Sequence, residues 1–144
     1  MRKTLFITLL FFAVILSACQ STATALPSVE VVGQNVTVDG GSYTDVTPTE
    51  LQTMLANKDF IFVNVHIPFE GNIAATDLSI PYDQMVENLD KLPADKNAKI
   101  VLYCRSGRMS DIAARELVGL GYTDIWNLAG GMVDWEAAGY PIDR

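Results

Sequence analysis

The residues of this chain that are best suited to chemistry are a cysteine and the polar loop that follows it. Residues 104–110 read Cys-Arg-Ser-Gly-Arg-Met-Ser, directly after the apolar run 100–103 and directly before a stretch with helical periodicity. This order predicts that Cys104 lies at a strand-to-helix turn, where backbone N–H groups and the positive end of a helix converge on its sulfur. Such surroundings favour the thiolate, which is the nucleophilic form of cysteine.

The polar residues beside Cys104 are candidates for binding a small anionic substrate. Arg105 and Arg108 place two cations next to this thiol in an acidic chain, whose formal net charge is −7. Ser110 is a candidate hydrogen-bond donor to the sulfur, whereas Asp111, one turn into the helix, would oppose a thiolate. The candidate substrate-binding residues are Arg105, Ser106, Gly107, Arg108, Met109 and Ser110. The alternative, a structural cysteine beside a solvated loop, stays open on composition alone.

The N-terminus has the features of an export signal. Arg2 and Lys3 form a charged start, and residues 4–16 are an uncharged, mostly apolar stretch that is too short to span a bilayer. Residues 16–19 read Leu-Ser-Ala-Cys, which resembles the lipobox of bacterial lipoproteins, so we expect cleavage before Cys19 and acylation of that residue. Acylation would anchor the protein outside the bacterial cytoplasmic membrane, on that membrane or in the periplasm or outer membrane. The alternative is an ordinary secretory signal in which Cys19 has no role.

Loss of the predicted signal peptide, residues 1–18, makes the remaining chain more acidic. Without Arg2 and Lys3, eight of the ten basic residues remain against all 17 acidic residues, a formal charge of −9. This charge argues against nucleic acid as a partner. With Cys19 acylated, Cys104 has no second cysteine for a disulfide, so a packed core must supply the stability. One histidine and one free cysteine do not make a metal site, and no cofactor is implied.

The elements around the cysteine alternate between helix and strand patterns. Residues 19–42 are predicted to be a tether that ends in an edge strand or hairpin, and residues 43–144 to be the folded domain. Thr47, Pro48 and Glu50 form a helix start with an N-cap, a proline in the first turn and a capping box. The predicted strands are 60–65, 100–103 and 124–128, the predicted helices are 47–56, 82–92, 109–120 and one around Trp135, and 67–81 is a predicted loop.

This alternation predicts an α/β fold with a central parallel β-sheet of about five strands and helices on both faces. The helix after Cys104 has a predicted apolar face made of Met109, Ile112, Ala113, Leu117 and Leu120, and Gly121 is its predicted C′ residue. Trp126 and Trp135 are predicted to be core residues. In such folds the loops at the carboxyl ends of the strands build the site, and Cys104 lies at such an end.

Three segments within residues 43–144 resemble a single-domain rhodanese, a sulfurtransferase family. They are the opening segment 43–51, the loop 104–110 and the tail 128–141, in which a glycine pair, a tryptophan and Gly-x-Pro recur at fixed spacing. The resemblance implies the rhodanese-like fold and a Cys104 that accepts a sulfane sulfur as a persulfide. It also implies a small anionic donor such as thiosulfate, a thiol, cyanide-like or protein acceptor, and ping-pong half-reactions.

One region departs from the pattern of this family. Rhodaneses usually carry Asp-Val-Arg after the second strand and Gly-His-Ile further on, whereas residues 64–66 here read Asn-Val-His and residues 70–73 read Glu-Gly-Asn-Ile. An acid and its basic partner are thus replaced by an amide and an imidazole, which leaves the choice of substrate open. His66 is either a structural residue or an acid–base group, and Glu70 either contacts the loop across the pocket or is solvated.

Two other functions would use a cysteine in such a loop. A cysteine-dependent phosphatase or arsenate reductase needs an arginine six positions after the nucleophile to clamp an oxyanion, but that position is Ser110 and the arginine is Arg108. A non-catalytic persulfide carrier at the membrane surface would need the same cysteine. The expected function is therefore sulfur transfer through Cys104, with a carrier as the alternative.

Overall fold

A computed structural model describes residues 30–144 of the chain. The predicted signal peptide, the predicted acylation of Cys19 and much of the predicted tether lie outside the described residues. No helix within residues 30–144 is long and apolar enough to cross a membrane.

Six strands of the described residues form one sheet at the centre of the molecule. They are β1 (Gln34–Val38), β2 (Gly41–Val46), β3 (Ile61–Asn64), β4 (Leu78–Ser79), β5 (Ile100–Tyr103) and β6 (Ile125–Leu128). Their order is β1-β2-β6-β5-β3-β4, and all neighbours are parallel except β1 and β2, which form an antiparallel hairpin. The predicted α/β fold is confirmed, and β1 is the predicted edge strand. The predicted loop over 67–81 contains β4, whose two residues are too few to produce a sequence period.

Helices cover both faces of this sheet. Within residues 30–144 the α-helices are α1 (Pro48–Ala56), α2 (Arg108–Gly119) and α3 (Gly131–Ala137). The side chains of β5 alternate between two cores, with Ile100 and Leu102 in the core under α2 and the other two residues in the core under α1 and α3. All four residues of β5 are buried, as expected for a strand that is covered on both faces. Cys104 directly follows this buried strand, so packing at the centre of the fold holds it in place.

The helix start predicted at Thr47 is confirmed. Thr47 is the N-cap of α1, and its hydroxyl accepts the backbone N–H of Glu50. The Glu50 carboxylate in turn accepts the N–H of Thr47 at 2.9 Å, which completes the capping box. The same carboxylate accepts the N–H groups of Val32 and Gly33, so Glu50 also ties the segment before β1 to the helix.

The single helix predicted over residues 82–92 is interrupted and is not an α-helix. Two 3₁₀ helices, Tyr82–Gln84 and Val86–Lys91, occupy this stretch. The side-chain amide of Asn88 donates to the Gln84 carbonyl at 2.8 Å, which is the carbonyl that the Asn88 backbone N–H would use in an α-helix. That N–H bonds instead to the carbonyl three residues back, at 3.2 Å. The asparagine side chain therefore competes with α-helical hydrogen bonding at this point.

The buried face of α2 differs in part from the predicted face. Ala113 and Leu117 are buried as predicted, but Ile112 and Leu120 are 41% and 38% exposed. The buried residues of α2 are Ser110, Ala113, Ala114, Leu117 and Val118. The spacing of apolar residues did not predict this whole face, because its first buried residue is a serine and two of the others are alanines.

Three further predictions concern the ends of the helices and the core. Gly121 follows α2 with a φ of 88°, in the left-handed conformation predicted for its C′ residue. Trp135 of α3 is buried as predicted, and its indole N–H donates to the Pro141 carbonyl at 2.9 Å. Trp126 is only partly buried and packs against the same core.

Candidate active site

The candidate nucleophile lies where an inner strand of the sheet meets a helix. Cys104 follows the last residue of β5, and α2 begins at Arg108. Gly107 has a φ of 88°, a left-handed conformation that glycine adopts without strain. The Cys104 sulfur accepts the Gly107 N–H at 3.1 Å and lies 3.5 Å from the Ser110 hydroxyl, which can donate to it. These donors, at the positive end of α2, stabilise an anionic sulfur.

Helix α3 holds this loop from behind. The backbone N–H of Met132 donates to the Cys104 carbonyl at 2.9 Å, and the next N–H, that of Val133, donates to the following carbonyl of the loop at the same distance. These carbonyls therefore face α3, which leaves the N–H groups of the loop for the sulfur. Gly131 permits the contact, because a β-carbon there would lie 2.4 Å from the Cys104 carbonyl oxygen. The glycine pair of the tail thus positions the cysteine loop.

A cavity of about 230 Å³ opens beside Cys104. The loop contributes Cys104, Arg105, Ser106, Arg108 and Met109 to its lining, and other segments contribute His66, Tyr82 and Ile112. Gly107 and Ser110, the other two predicted site residues, contact the sulfur instead. The cavity is smaller than pockets for drug-sized ligands, which start at about 300 Å³. Its size suits a small anion or the tip of a thiol.

The two arginines of the loop differ in their surroundings. Arg105 Nε lies 3.1 Å from Glu70 Oε2, an ion pair that reaches the segment after β3. Glu70 therefore contacts the loop, which is one of its two predicted alternatives. Arg108 forms no ion pair within residues 30–144. It is exposed and lines the cavity, so its charge is available to an anionic ligand.

The negative charge of Asp111 is paired with groups outside the cavity. The Tyr43 hydroxyl donates to this carboxylate, and so does Arg115 Nε at 3.0 Å. Burial alone would raise the pKa of Asp111, but the hydrogen bonds from Arg115 and Tyr43 outweigh burial and lower it. Because Arg115 offsets its charge, Asp111 opposes a nearby sulfur anion less than its sequence position predicts.

The amide that replaces the usual acid after β3 organises the segment that follows. Asn64 is buried, and its amide nitrogen donates to the Gly71 carbonyl at 2.9 Å and to Asn72 Oδ1 at 3.0 Å. Its amide oxygen accepts the backbone N–H of His66 at 2.9 Å. This arrangement needs both a donor and an acceptor on one side chain. Asparagine has both, whereas an ionised aspartate has acceptors but no donor.

His66 lies in the wall of the cavity. Its side chain is only 7% exposed, and neither ring nitrogen has a hydrogen-bond partner among the described residues. Nε2 is 3.6 Å from Glu70 Oε2, just beyond hydrogen-bond distance. A buried polar group without a partner is unfavourable unless something else binds it.

Tyr82 and Ile112 are cavity residues that sequence reasoning missed. Tyr82 lies in the stretch that was predicted to be one continuous helix, and Ile112 fits the apolar spacing of α2 and so resembles a core residue. No signal in the sequence alone separates an apolar residue that lines a cavity from one that packs in the core.

Comparison with known proteins identifies the family. Residues 45–138 match the sequence model of the Rhodanese-like domain. The chain belongs to the rhodanese family. This rhodanese domain is 30% identical over 93 residues to a sulfurtransferase from Allochromatium vinosum, a match that covers 63% of this chain and 85% of that protein.

Two further relatives extend the comparison. A crystal structure of a rhodanese-like domain protein from Staphylococcus aureus aligns with a TM-score of 0.58 at 30% identity, over 69% of this chain and 98% of that chain. A tRNA uridine(34) hydroxylase from Escherichia coli is 29% identical over 92 residues, which are 60% of this chain but only 26% of the hydroxylase. The rhodanese domain therefore spans about a quarter of that larger relative.

Proposed function

We propose that this rhodanese domain is a sulfurtransferase, which accepts a sulfane sulfur on Cys104 and passes it to a thiophilic acceptor. The observation that carries the proposal is the pair of donors, the Gly107 N–H and the Ser110 hydroxyl, at the Cys104 sulfur beside a small cavity. Such donors stabilise the sulfur anion before attack and the persulfide anion after it. The sulfurtransferase relative supports the same type of reaction.

The first half-reaction takes sulfur from a small anionic donor such as thiosulfate. The Cys104 thiolate attacks the outer sulfur of thiosulfate, the S–S bond of the donor breaks, and sulfite leaves with the electron pair of that bond. The outer sulfur stays on Cys104 as a persulfide anion. Arg105 and Arg108 attract the dianion into the cavity of an otherwise acidic protein.

The second half-reaction restores the thiolate. A thiol, cyanide or a cysteine of a partner protein attacks the outer sulfur of the persulfide, and the electron pair of the Cys104–sulfur bond returns to Cys104. Because one site serves both substrates in turn, the kinetics are ping-pong.

The environment of Ser110 favours sulfur chemistry over phosphate chemistry. Ser110 occupies the position where a cysteine-dependent phosphatase needs an arginine, and it is fully buried with its hydroxyl 3.5 Å from the Cys104 sulfur. A serine there can donate one hydrogen bond but cannot clamp a tetrahedral oxyanion. We therefore expect no turnover of an aryl phosphate.

Intact-protein mass spectrometry after incubation with thiosulfate tests the proposal. Wild-type protein is expected to gain one sulfur, about 32 Da, and Cys104→Ser to gain none. Repeated turnover with cyanide or a small thiol is expected of an enzyme, whereas one stoichiometric charge without turnover would indicate a persulfide carrier. An unchanged mass of the wild-type protein would contradict both.

We also propose that the domain is exported and anchored to the membrane by acyl groups on Cys19. The support is in the sequence, where a charged start and an apolar stretch precede Leu-Ser-Ala-Cys. In a bacterial host, wild-type protein is expected to partition into the detergent phase, and Cys19→Ala into the aqueous phase. Equal partitioning of the two proteins into the aqueous phase would rule out the anchor.

A further inference from the structure

The most unusual group in the cavity, apart from the cysteine, is the imidazole of His66. Its side chain is only 7% exposed, yet both ring nitrogens lack a hydrogen-bond partner within residues 30–144. Buried polar groups in folded proteins nearly always have a partner. Because His66 lines the cavity beside Cys104, the missing partner is best supplied by a molecule that enters this cavity.

Charged side chains lie near His66, in and beside the cavity. Glu70 Oε2 lies 3.6 Å from His66 Nε2 and also 3.1 Å from Arg105 Nε. The carboxylate lies beyond hydrogen-bond distance of Nε2, so no described residue uses either ring nitrogen. A neutral imidazole carries a free electron pair on one of its two nitrogens, and this pair can accept a proton. Arg105 and Arg108, the cations of the cavity lining, favour anions in the cavity and so favour a thiolate over a thiol.

We propose that His66 is the general base that takes the proton of a protonated thiol acceptor, so that the natural acceptor is a thiol rather than an anion. The inference rests on the sulfurtransferase function proposed above and specifies its second substrate. An aliphatic thiol, with a pKa near ~8.5, is mostly protonated at neutral pH and must lose its proton to attack. Imidazole is the side chain best suited to accept that proton in this pH range.

The step balances without any oxidant or reductant. The unprotonated ring nitrogen of His66 takes the proton of the acceptor thiol, and the thiolate sulfur forms a bond to the outer sulfur of the Cys104 persulfide. The bond between Cys104 and the outer sulfur breaks, and its electron pair returns to Cys104 as the thiolate. The imidazolium then gives the proton to the transferred sulfur, so the products are a neutral acceptor persulfide and the free Cys104 thiolate.

Single-turnover discharge of the persulfide tests this role. Wild type, His66→Gln and Glu70→Gln are first charged with thiosulfate, and charging is checked by intact mass. Each is then mixed at neutral pH with an aliphatic thiol or with an aromatic thiol that is already ionised. We expect His66→Gln to slow discharge to the aliphatic thiol about 100-fold and to leave discharge to the aromatic thiolate within about threefold of wild type, since no proton needs removal there.

Glu70→Gln is the second variant, and it leaves the core unchanged because the Glu70 side chain is 43% exposed. It is expected to show a smaller loss with the same preference for the ionised acceptor, because it removes the negative charge 3.6 Å from the imidazole. An equal loss for both thiols in either variant would mean a structural role and overturn the inference. If the His66→Gln variant charges normally and then discharges to both thiols at the wild-type rate, the role of His66 is overturned while the proposed function stands. If the wild-type protein itself fails to charge, both the role of His66 and the proposed function are overturned.

Discussion

Glu70 Oε2 lies 3.1 Å from Arg105 Nε, so the segment after β3 is joined to the loop that carries Cys104. This ion pair offsets part of the Arg105 charge. Arg108, by contrast, has no acidic partner among the described residues and lines the same cavity. Two arginines that look equivalent in the sequence therefore differ in the charge that they offer to an anionic donor.

This difference predicts unequal effects on the KM for thiosulfate. Replacing Arg108 with glutamine is expected to raise KM about tenfold, which corresponds to about 1.4 kcal/mol of lost binding, whereas Arg105→Gln should raise it only a few-fold. Initial rates over a range of thiosulfate concentrations measure both values, and added salt should narrow the gap between wild type and Arg108→Gln. A larger rise for Arg105→Gln than for Arg108→Gln would contradict the assignment.

Restoring the usual acid of the family at position 64 is expected to destabilise this chain. In Asn64→Asp, an ionised carboxylate would face the Gly71 carbonyl and Asn72 Oδ1, both of which accept hydrogen bonds from Asn64 now. Leaving buried polar groups unpaired costs about 1–3 kcal/mol, and more when a charge is involved. Urea unfolding at neutral pH measures the loss. Because protonation gives aspartate a donor, the deficit should shrink in acid, and a variant as stable as wild type at pH 7 would contradict this account.

Local signals made much of the fold and the position of Cys104 predictable. The capping box at Thr47 and Glu50 involves residues three apart, and the Cys104 loop is a strand end followed at once by a helix. Patterns of this kind are short and depend only on neighbouring residues, so they can be recognised in the sequence without knowledge of the rest of the fold. The parallel order of the inner strands follows from the alternation of helices and strands.

The rest depends on contacts between segments that are distant in the sequence. His66 and Glu70 acquire their significance only because β3 lies beside β5, which brings the segment after one strand to the loop after the other. The 3₁₀ turns over 82–92 depend on one side chain, Asn88, that takes a backbone carbonyl. A hydrophobic period records neither effect, so the sequence left two alternatives each for His66 and Glu70 and did not place Tyr82 or Ile112 in the cavity wall.

The Glu50 carboxylate is expected to make stability depend on pH in acid. The N–H groups of Thr47 and Gly33 donate to it and lower the pKa of Glu50 from 4.5 to about 2. The folded state therefore favours the ionised carboxylate more than the unfolded chain does. The contribution of Glu50 to the stability of the fold is fully present above about pH 4.5 and is lost as the pH falls towards 2. Glu50→Gln should cost about 1 kcal/mol at neutral pH, a modest figure because the group is partly exposed.

Thermal unfolding of wild type and Glu50→Gln between pH 2 and 7 measures this contribution. The difference in Tm should be constant at neutral pH and should decrease through the window between about pH 4.5 and about pH 2. A difference that stays constant over the whole range would mean that the carboxylate charge plays no part.

Replacing Gly131 with alanine tests whether α3 positions the cysteine loop. A β-carbon at Gly131 would lie 2.4 Å from the Cys104 carbonyl oxygen and 2.7 Å from backbone atoms of Arg105, and both are backbone contacts that cannot rotate away. Gly121→Ala is the matched control, because Gly121 also has a positive φ, of 88°, but has nothing within 4 Å of the added carbon. Strain at a positive φ alone costs about 1 kcal/mol.

We therefore expect Gly121→Ala to lower Tm modestly while Cys104 is charged by thiosulfate at the wild-type rate. Gly131→Ala should lower Tm further and should also slow charging of the folded protein at least tenfold, because the loop carbonyls can no longer reach α3 and the N–H of Gly107 moves away from the sulfur. Alkylation of Cys104 by iodoacetamide provides an independent measure of the same displacement. If both variants lost the same stability and charged equally fast, the contact between Gly131 and the loop would have no part in preparing the nucleophile.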